Sequence, residues 1–482
     1  MTKESTVPEA GPHPDRLFPS DPLQRRLARE LYGHVRDLPL ICPHGHVDPA
    51  LMAHNKPFGN PAELLVVPDH YVLRMLYSRG VALEDLGVPS RDGAPVEGDP
   101  RAIWRRLAEH WHLFRGTPSR LWLEQELHEV FGVTTRLSAA TADEVYDQLE
   151  DCLGRDAFLP RALFDRFNIE FLATTESPLD SLEHHRAIRD SDWAGNVVTT
   201  FRPDDVVDME RHDWASAVGR LGEVTGCDTA TYGGYLDALR SRRAFFASNG
   251  ATATDHGHPT AATLDLDGAD AARLFEAGLR GRADAAAAER FRAHMLTEFA
   301  RMSCEDGLVM QLHPGSLRDH NPRVLARFGP DMGADIPMPT DYVRALRPLL
   351  NRFGNEPRLT LVVFTLDESA YARELAPLAG HYPAMVLGPA WWFHDSPEGM
   401  RRFRELTTET AGFYNTVGFN DDTRAFPSIA ARHDVARRVD CAFLARLVAE
   451  HRLPLEEAAE TAVDLAYRLP KRTYRIGDGT VA

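Results

Sequence analysis

An eight-stranded parallel (β/α)8 barrel, distorted by a helical insertion after its first strand, is the fold this sequence predicts. Three observations lead there. Short apolar or β-branched runs bounded by Gly, Pro or Asp recur eight times, helix-periodic segments separate most of them, and a gap of about 120 residues after the first run far exceeds what one crossover needs.

In chain order, residues 1–16 are polar, contain Pro and lack periodicity, so a flexible N-terminal tail is expected, with the barrel domain spanning 17–482. The first strand is expected in 39–46 (PLICPHGH). A helical insertion subdomain is expected over 60–165. There Asp99-Pro100 reads as a helix start ahead of Ile103, Trp104, Leu107, Trp111 and Phe114, with a stop at Gly116, and Thr141 and Glu144 have capping-box spacing. The remaining strands are expected in 169–177, 196–203, 251–257, 308–316, 358–366, 384–393 and 414–423. Phe291, Met295, Phe299 and Met302 share one helix face, as do Val435, Val439, Phe443 and Leu447, and the alanine run 283–288 reads as helix by propensity.

Composition narrows the function. The 482 residues include 54 Lys plus Arg against 71 Asp plus Glu, a formal charge of −17, which disfavours nucleic acid as a partner. The five cysteines are scattered without a CxxC pair, so no disulfides are expected. Neither an apolar membrane span nor a signal core is present, which predicts a cytoplasmic protein without a membrane partner. Lysine occurs only at positions 3, 56 and 471.

In a parallel barrel the functional groups gather at strand C-termini. The first strand ends in His44-Gly45-His46, whose imidazoles fall on one side of an extended chain about 6–7 Å apart, half of a metal site. The fifth ends at His313, the eighth at Asp422 and the fourth at Asp255-His256. A lone HxH is more often packing or solvated surface; joined by a third His and an Asp from other strands, it reads as a metal centre.

That constellation resembles the amidohydrolase superfamily. PHGHVDP (43–49), DHYVLRML (69–76), TTESPLDSLEHH (174–185), TTFRPD (199–204), MQLHPGSLRDHN (310–321), AWWFHD (390–395) and DTR (422–424), in this order, resemble the uronate isomerase family, also called glucuronate isomerase. The resemblance implies an aldose–ketose isomerase acting on a small-molecule hexuronate: D-glucuronate to D-fructuronate, and D-galacturonate to D-tagaturonate. It also implies His44, His46 and Asp422 as ligands of one divalent ion, with zinc expected from the donor types. Binuclear relatives bridge two metals through a carboxylated lysine after strand four, and TATDHG (252–257) offers none, so one metal at most is expected.

Arg is the natural partner of a uronate carboxylate. Arg202 is taken as its chief clamp and Arg424 as a second contact, against the alternative that each pairs with an acid on the barrel rim. Asp422 doubles as general base; His70 and Tyr71 match the family's His-Tyr pair, the phenol shuttling a proton or polarising O1. His313 is a further ligand or a donor to a substrate oxygen. Asp255 is expected to orient substrate or a metal-bound water, with His256 a structural neighbour, and one of Trp391 and Trp392 to wall the pocket while the other is core. Two departures from the family pattern are Glu176-Ser177 on strand two and Asn420-Asp421 before Asp422. The competing reading is a mononuclear metal-dependent hydrolase of an acidic amide or lactone, and a homo-oligomer is expected.

Overall fold

The computed structural model describes residues 11–477. Three parallel strands, β1 (Leu40–Cys42), β2 (Ile169–Ala173) and β3 (Val197–Val198), pair in that order. Four more, β4 (Ala253–His256), β5 (Val309–Leu312), β6 (Leu361–Val363) and β7 (Met385–Leu387), form a second parallel set. A parallel bridge from Phe201 to Thr254 joins the two sets, and another from Leu387 to Thr416 adds the eighth segment. The amide of His46 donates to the carbonyl of Thr423 at 2.9 Å, so the eighth segment returns to the first and the ring closes. Each of these strands lies inside one of the eight predicted runs. Every residue of β1, β4, β5 and β6 is buried, as expected for strands covered on both faces. The barrel is distorted because several seams carry only one or two hydrogen bonds.

The periodic helices are Ala285–Asp306 and Ile429–Ala449, capped respectively by Asp284 and by no side chain. Both bury far more than one stripe, because each is wedged between the barrel and other helices. Between β1 and β2 the chain is helical from Pro49–His54 to Pro160–Arg166, and Trp104, Leu107, Phe114, Tyr146 and Leu149 pack there in a cluster that continues into Leu40 and Cys42 of β1 and Leu172 of β2. Asp99 caps the helix Pro100–Glu109 with Pro at its first turn; Trp111–Phe114 then continues as a separate 3-10 turn rather than as the same helix. Thr141 does not form the predicted capping box: its hydroxyl donates to the Arg136 carbonyl, while Glu144 accepts from Thr135, so local turns took both groups.

Of the predicted tail, residues 1–10 lie outside the described residues, and 11–16 are tied down. Asp15 pairs with Arg29, Arg16 meets Asp434 at 2.6 Å, and the Pro14 carbonyl accepts from Arg438 at 2.7 Å. Buried partners on the last barrel helix hold a segment that has no apolar pattern of its own. Among the described residues no helix is long and apolar enough to cross a membrane.

Candidate active site

The parallel strands all deliver their C-terminal segments to one end of the ring. There His44, His46, His70, Tyr71, Arg202, His313, Trp391, Trp392, Asp422 and Arg424 line a cavity that opens to solvent.

On its floor, Oδ1 of Asp422 lies 3.4 Å from Nε2 of His44 and 3.3 Å from Nε2 of His46. One ligand atom from each of the three falls within 4.8 Å of the others. Burial alone would raise the Asp422 carboxyl, but His44, His46 and the indole N–H of Trp391 hold it well below the ordinary carboxylate range. Burial pushes His46 down to about 3, leaving it neutral. His44 is drawn above its ordinary value because Asp255 and Asp422 together outweigh its burial. Oδ1 of Asp422 is buried and accepts no hydrogen bond. An orphaned carboxylate oxygen facing two imidazole nitrogens is the donor set that a divalent cation satisfies. The Asp422 backbone is left-handed, at φ +43°, a conformation costing a non-glycine residue about 1–3 kcal/mol and characteristic of functional sites. Trp392, at φ +52°, is strained in the same way.

Asp255 is not in the cavity wall. It is fully buried beneath it, 2.6 Å from Nε2 of His313, 3.3 Å from Nη1 of Arg202 and 4.0 Å from Nδ1 of His44. Asp255, expected to orient substrate or a metal-bound water, thus sits behind three site residues as their shared negative charge. Burial opposes its charge, yet His313, His44 and Arg202 hold the carboxyl well below its ordinary range. Nε2 of His313 faces the Asp255 carboxylate and His313 lies outside the cluster of potential ligands, while its ring still faces the cavity. His256, alternating with Asp255 on β4, points into the core against Thr254 and Phe299.

Arg202 follows β3 and reaches the cavity, but it is also paired with Asp204 at 2.9 Å. Its guanidinium passes over Gly257, where a Cβ would come within 2.4 Å of Nη2 and 2.9 Å of His313. Arg424 stands at the rim, 42 % exposed, with Nη2 3.2 Å from Asp331. Each arginine thus has the rim acid and faces the cavity as well. His70 and Tyr71 open the helix His70–Tyr77, whose amides at Tyr71 and Val72 are capped by Asp69. Their rings stack at 4.4 Å. Burial and Asp395 push the Tyr71 phenol well above its ordinary value, so it is a neutral hydrogen-bonding group. Both tryptophans line the cavity, Trp391 against His313 and Trp392 beneath Arg318. Both indoles are also buried in the core beneath it, so the expected division into one wall and one core indole does not separate them.

Sequence reasoning missed Arg318, which lies within a quoted motif, and Arg432, which comes from a helix rather than a strand end and so carries no positional signal. Below the metal-capable trio, His433 lies between Oδ2 of Asp421 (3.2 Å) and Sγ of Cys42 (3.5 Å), all three buried.

A family model described as glucuronate isomerase matches residues 21–474. A uronate isomerase of Rhizorhabdus wittichii is 65 % identical over 464 residues, 96 % of this chain and 98 % of that protein. One from Xanthomonas axonopodis pv. citri is 64 % identical over the same shares. The crystal structure of glucuronate isomerase from Caulobacter crescentus superposes with a TM-score of 0.96 at 59 % identity, covering 97 % of this chain and 98 % of that one. The uronate isomerase structure from Thermotoga maritima superposes at 0.89 with 29 % identity, covering 95 % and 98 %.

Proposed function

The chain belongs to the glucuronate isomerase family, and on that premise we propose that it interconverts D-glucuronate with D-fructuronate, and D-galacturonate with D-tagaturonate, by proton transfer through a cis-enediol. The observation that carries the reading is the sharing of one cavity by an ionised Asp422, a neutral Tyr71 phenol and the Arg202 guanidinium: a base, a proton shuttle and a carboxylate anchor.

Arg202 binds the C6 carboxylate, with Arg424 reaching it or the neighbouring hydroxyl from the rim. That anchorage presents the other end of the open-chain sugar to Asp422, which takes the C2 proton and returns it to C1. Tyr71 moves the hydroxyl proton between O2 and O1, supported by stacked His70, so that neither oxygen carries a full charge. Trp391 fixes the Asp422 carboxylate through its indole N–H. His44, His46 and Asp422 hold one divalent ion, zinc in this reading. When bound, it supplies positive charge that stabilises a developing enediolate. A homo-oligomer in the cytoplasm completes the proposal, the assembly being checked by sedimentation.

The test is incubation with each uronate in D₂O, followed by NMR. Ketose carrying deuterium at C1 is expected, since a protein base exchanges with solvent. Product with none would favour direct hydride transfer, and conversion of neither acid would favour the hydrolase reading.

A further inference from the structure

The helix Ile429–Ala449 turns two consecutive buried residues, Arg432 and His433, toward the residue that precedes Asp422. We propose that these two are positioning residues that lock Asp422 in its left-handed conformation, so that its carboxylate meets His44 and His46. The proposal rests on the reading of Asp422 as a metal ligand.

The contacts are divided between the two groups of Asp421. Nη1 of Arg432 donates to the Asp421 carbonyl at 3.2 Å, and His433 Nε2 lies 3.2 Å from the Asp421 carboxylate. The carbonyl of residue 421 shares a peptide plane with the amide of residue 422, so fixing its direction fixes the plane about which φ of Asp422 is measured. On the other side, the Thr423 carbonyl accepts from the His46 amide at 2.9 Å, and the Thr423 and Ser428 hydroxyls meet at 2.8 Å. Asp422 is thereby preceded by an anchored peptide and followed by a residue whose carbonyl and hydroxyl are both held, which is the kind of support a strained non-glycine conformation needs in order to persist.

Arg432 is itself rigid. It donates to Asp395 at 2.6 Å, its Nε reaches Ser428 at 3.3 Å, and its guanidinium lies 3.8 Å above the Trp122 ring. It stands 5.8 Å from the Tyr71 ring, so one side chain braces both the insertion that carries Tyr71 and the turn that carries Asp422. His433 is braced in turn by Cys42 of β1, the strand that leads into the two histidines.

The experiment measures Zn²⁺ affinity of metal-stripped protein by competition with a chromogenic chelator, alongside kcat and KM for D-glucuronate at saturating Zn²⁺. His433→Leu is expected to weaken Zn²⁺ binding about ten- to a hundred-fold, the usual cost of losing a group that orients a ligand, and to lower kcat with little change in KM. His433→Gln, whose amide N–H can still donate to Asp421, should recover much of that loss. It serves as the test if the leucine variant does not fold. Arg432→Lys keeps a charge for Asp395 but cannot span to the Asp421 carbonyl, so it too should bind Zn²⁺ more weakly. Arg243→Lys, at a buried arginine paired with half-buried Asp306, should lower Tm without moving Zn²⁺ affinity, separating positioning from general destabilisation. Wild-type affinity and kcat in folded His433 and Arg432 variants, with Zn²⁺ lost in His46→Ala, would overturn the positioning role and leave the ligand reading standing. Retention of Zn²⁺ in His46→Ala would overturn both. Two ions per wild-type chain falling to one in His433→Gln would make His433 a ligand in its own right and overturn the proposal.

Discussion

Asp422 and Arg202 bear unequal loads. Asp422→Asn is nearly isosteric but cannot take the C2 proton and is a poor ligand, so turnover should fall about 10²–10⁴-fold, read as kcat on a variant whose Tm is checked separately. Arg202→Met should lower kcat/KM about ten- to a hundred-fold, equivalent to roughly 1.5–3 kcal/mol for a lost charge-assisted bond. It should also lower Tm, because Asp204 and Asp255 would lose their countercharge. Arg202→Lys keeps that charge without the planar fork; a fall in kcat/KM at near-native Tm is therefore the cleaner signature of a carboxylate clamp. Residues at strand ends, His44, His46, His313 and Asp422, were legible because alternation and parallel strands dictate where they point. Asp255 was legible as a site residue but not in its place beneath the cavity wall, since burial depends on what the other strands bring. Arg432 and His433 were illegible: on a helix almost entirely enclosed, periodicity does not separate residues that face the site from residues that face the core.

Helices of the insertion reach the site through Asp69, His70 and Tyr71, and Glu126 lies behind them in the π-helical turn Glu126–Val130. Burial first, and Asp69 second, push the Glu126 carboxyl up to about 8, only partly offset by Arg432, and its Oε2 has no partner. An unfolded glutamate titrates near 4.3, so between about pH 4 and 8 the unfolded chain gives up a proton that the folded chain keeps. Stability from this group is therefore lost as pH rises through that window. Glu126→Gln should melt higher than the parent at pH 8, with the difference shrinking toward pH 4 in paired thermal scans; a pH-independent difference would show that the carboxyl is ionised in the fold. Elements themselves were legible where apolar content was dense, as in β5 and β6. They were less so where hydrogen bonding is sparse, as in the two-residue β3, or where Ser316–Leu317 pairs antiparallel with Ile336–Pro337 inside a crossover that shows no alternation.

At the scale of the molecule, metal and fold are linked. An ion that binds only the closed ring adds about 2.7 kcal/mol when free metal is a hundred times Kd, so Zn²⁺ should raise Tm of stripped protein, and the rise should vanish in His44→Ala/His46→Ala. One ion per chain is expected by elemental analysis. The layout of barrel and insertion was legible because the long gap between the first two runs has no other home in a parallel barrel. The seam between β1 and the eighth segment was not, since a single hydrogen bond from His46 to Thr423 leaves no trace in composition. That seam has a consequence in time. The two histidines lie on the first strand and the aspartate on the eighth segment, so at 5–20 residues per second a ribosome delivers Asp422 roughly 20–75 s after His46. Throughout that interval the ring is open and the proposed trio of ligands incomplete, so on the proposed reading neither an ion nor substrate meets a finished site until the last segment of the ring has been made.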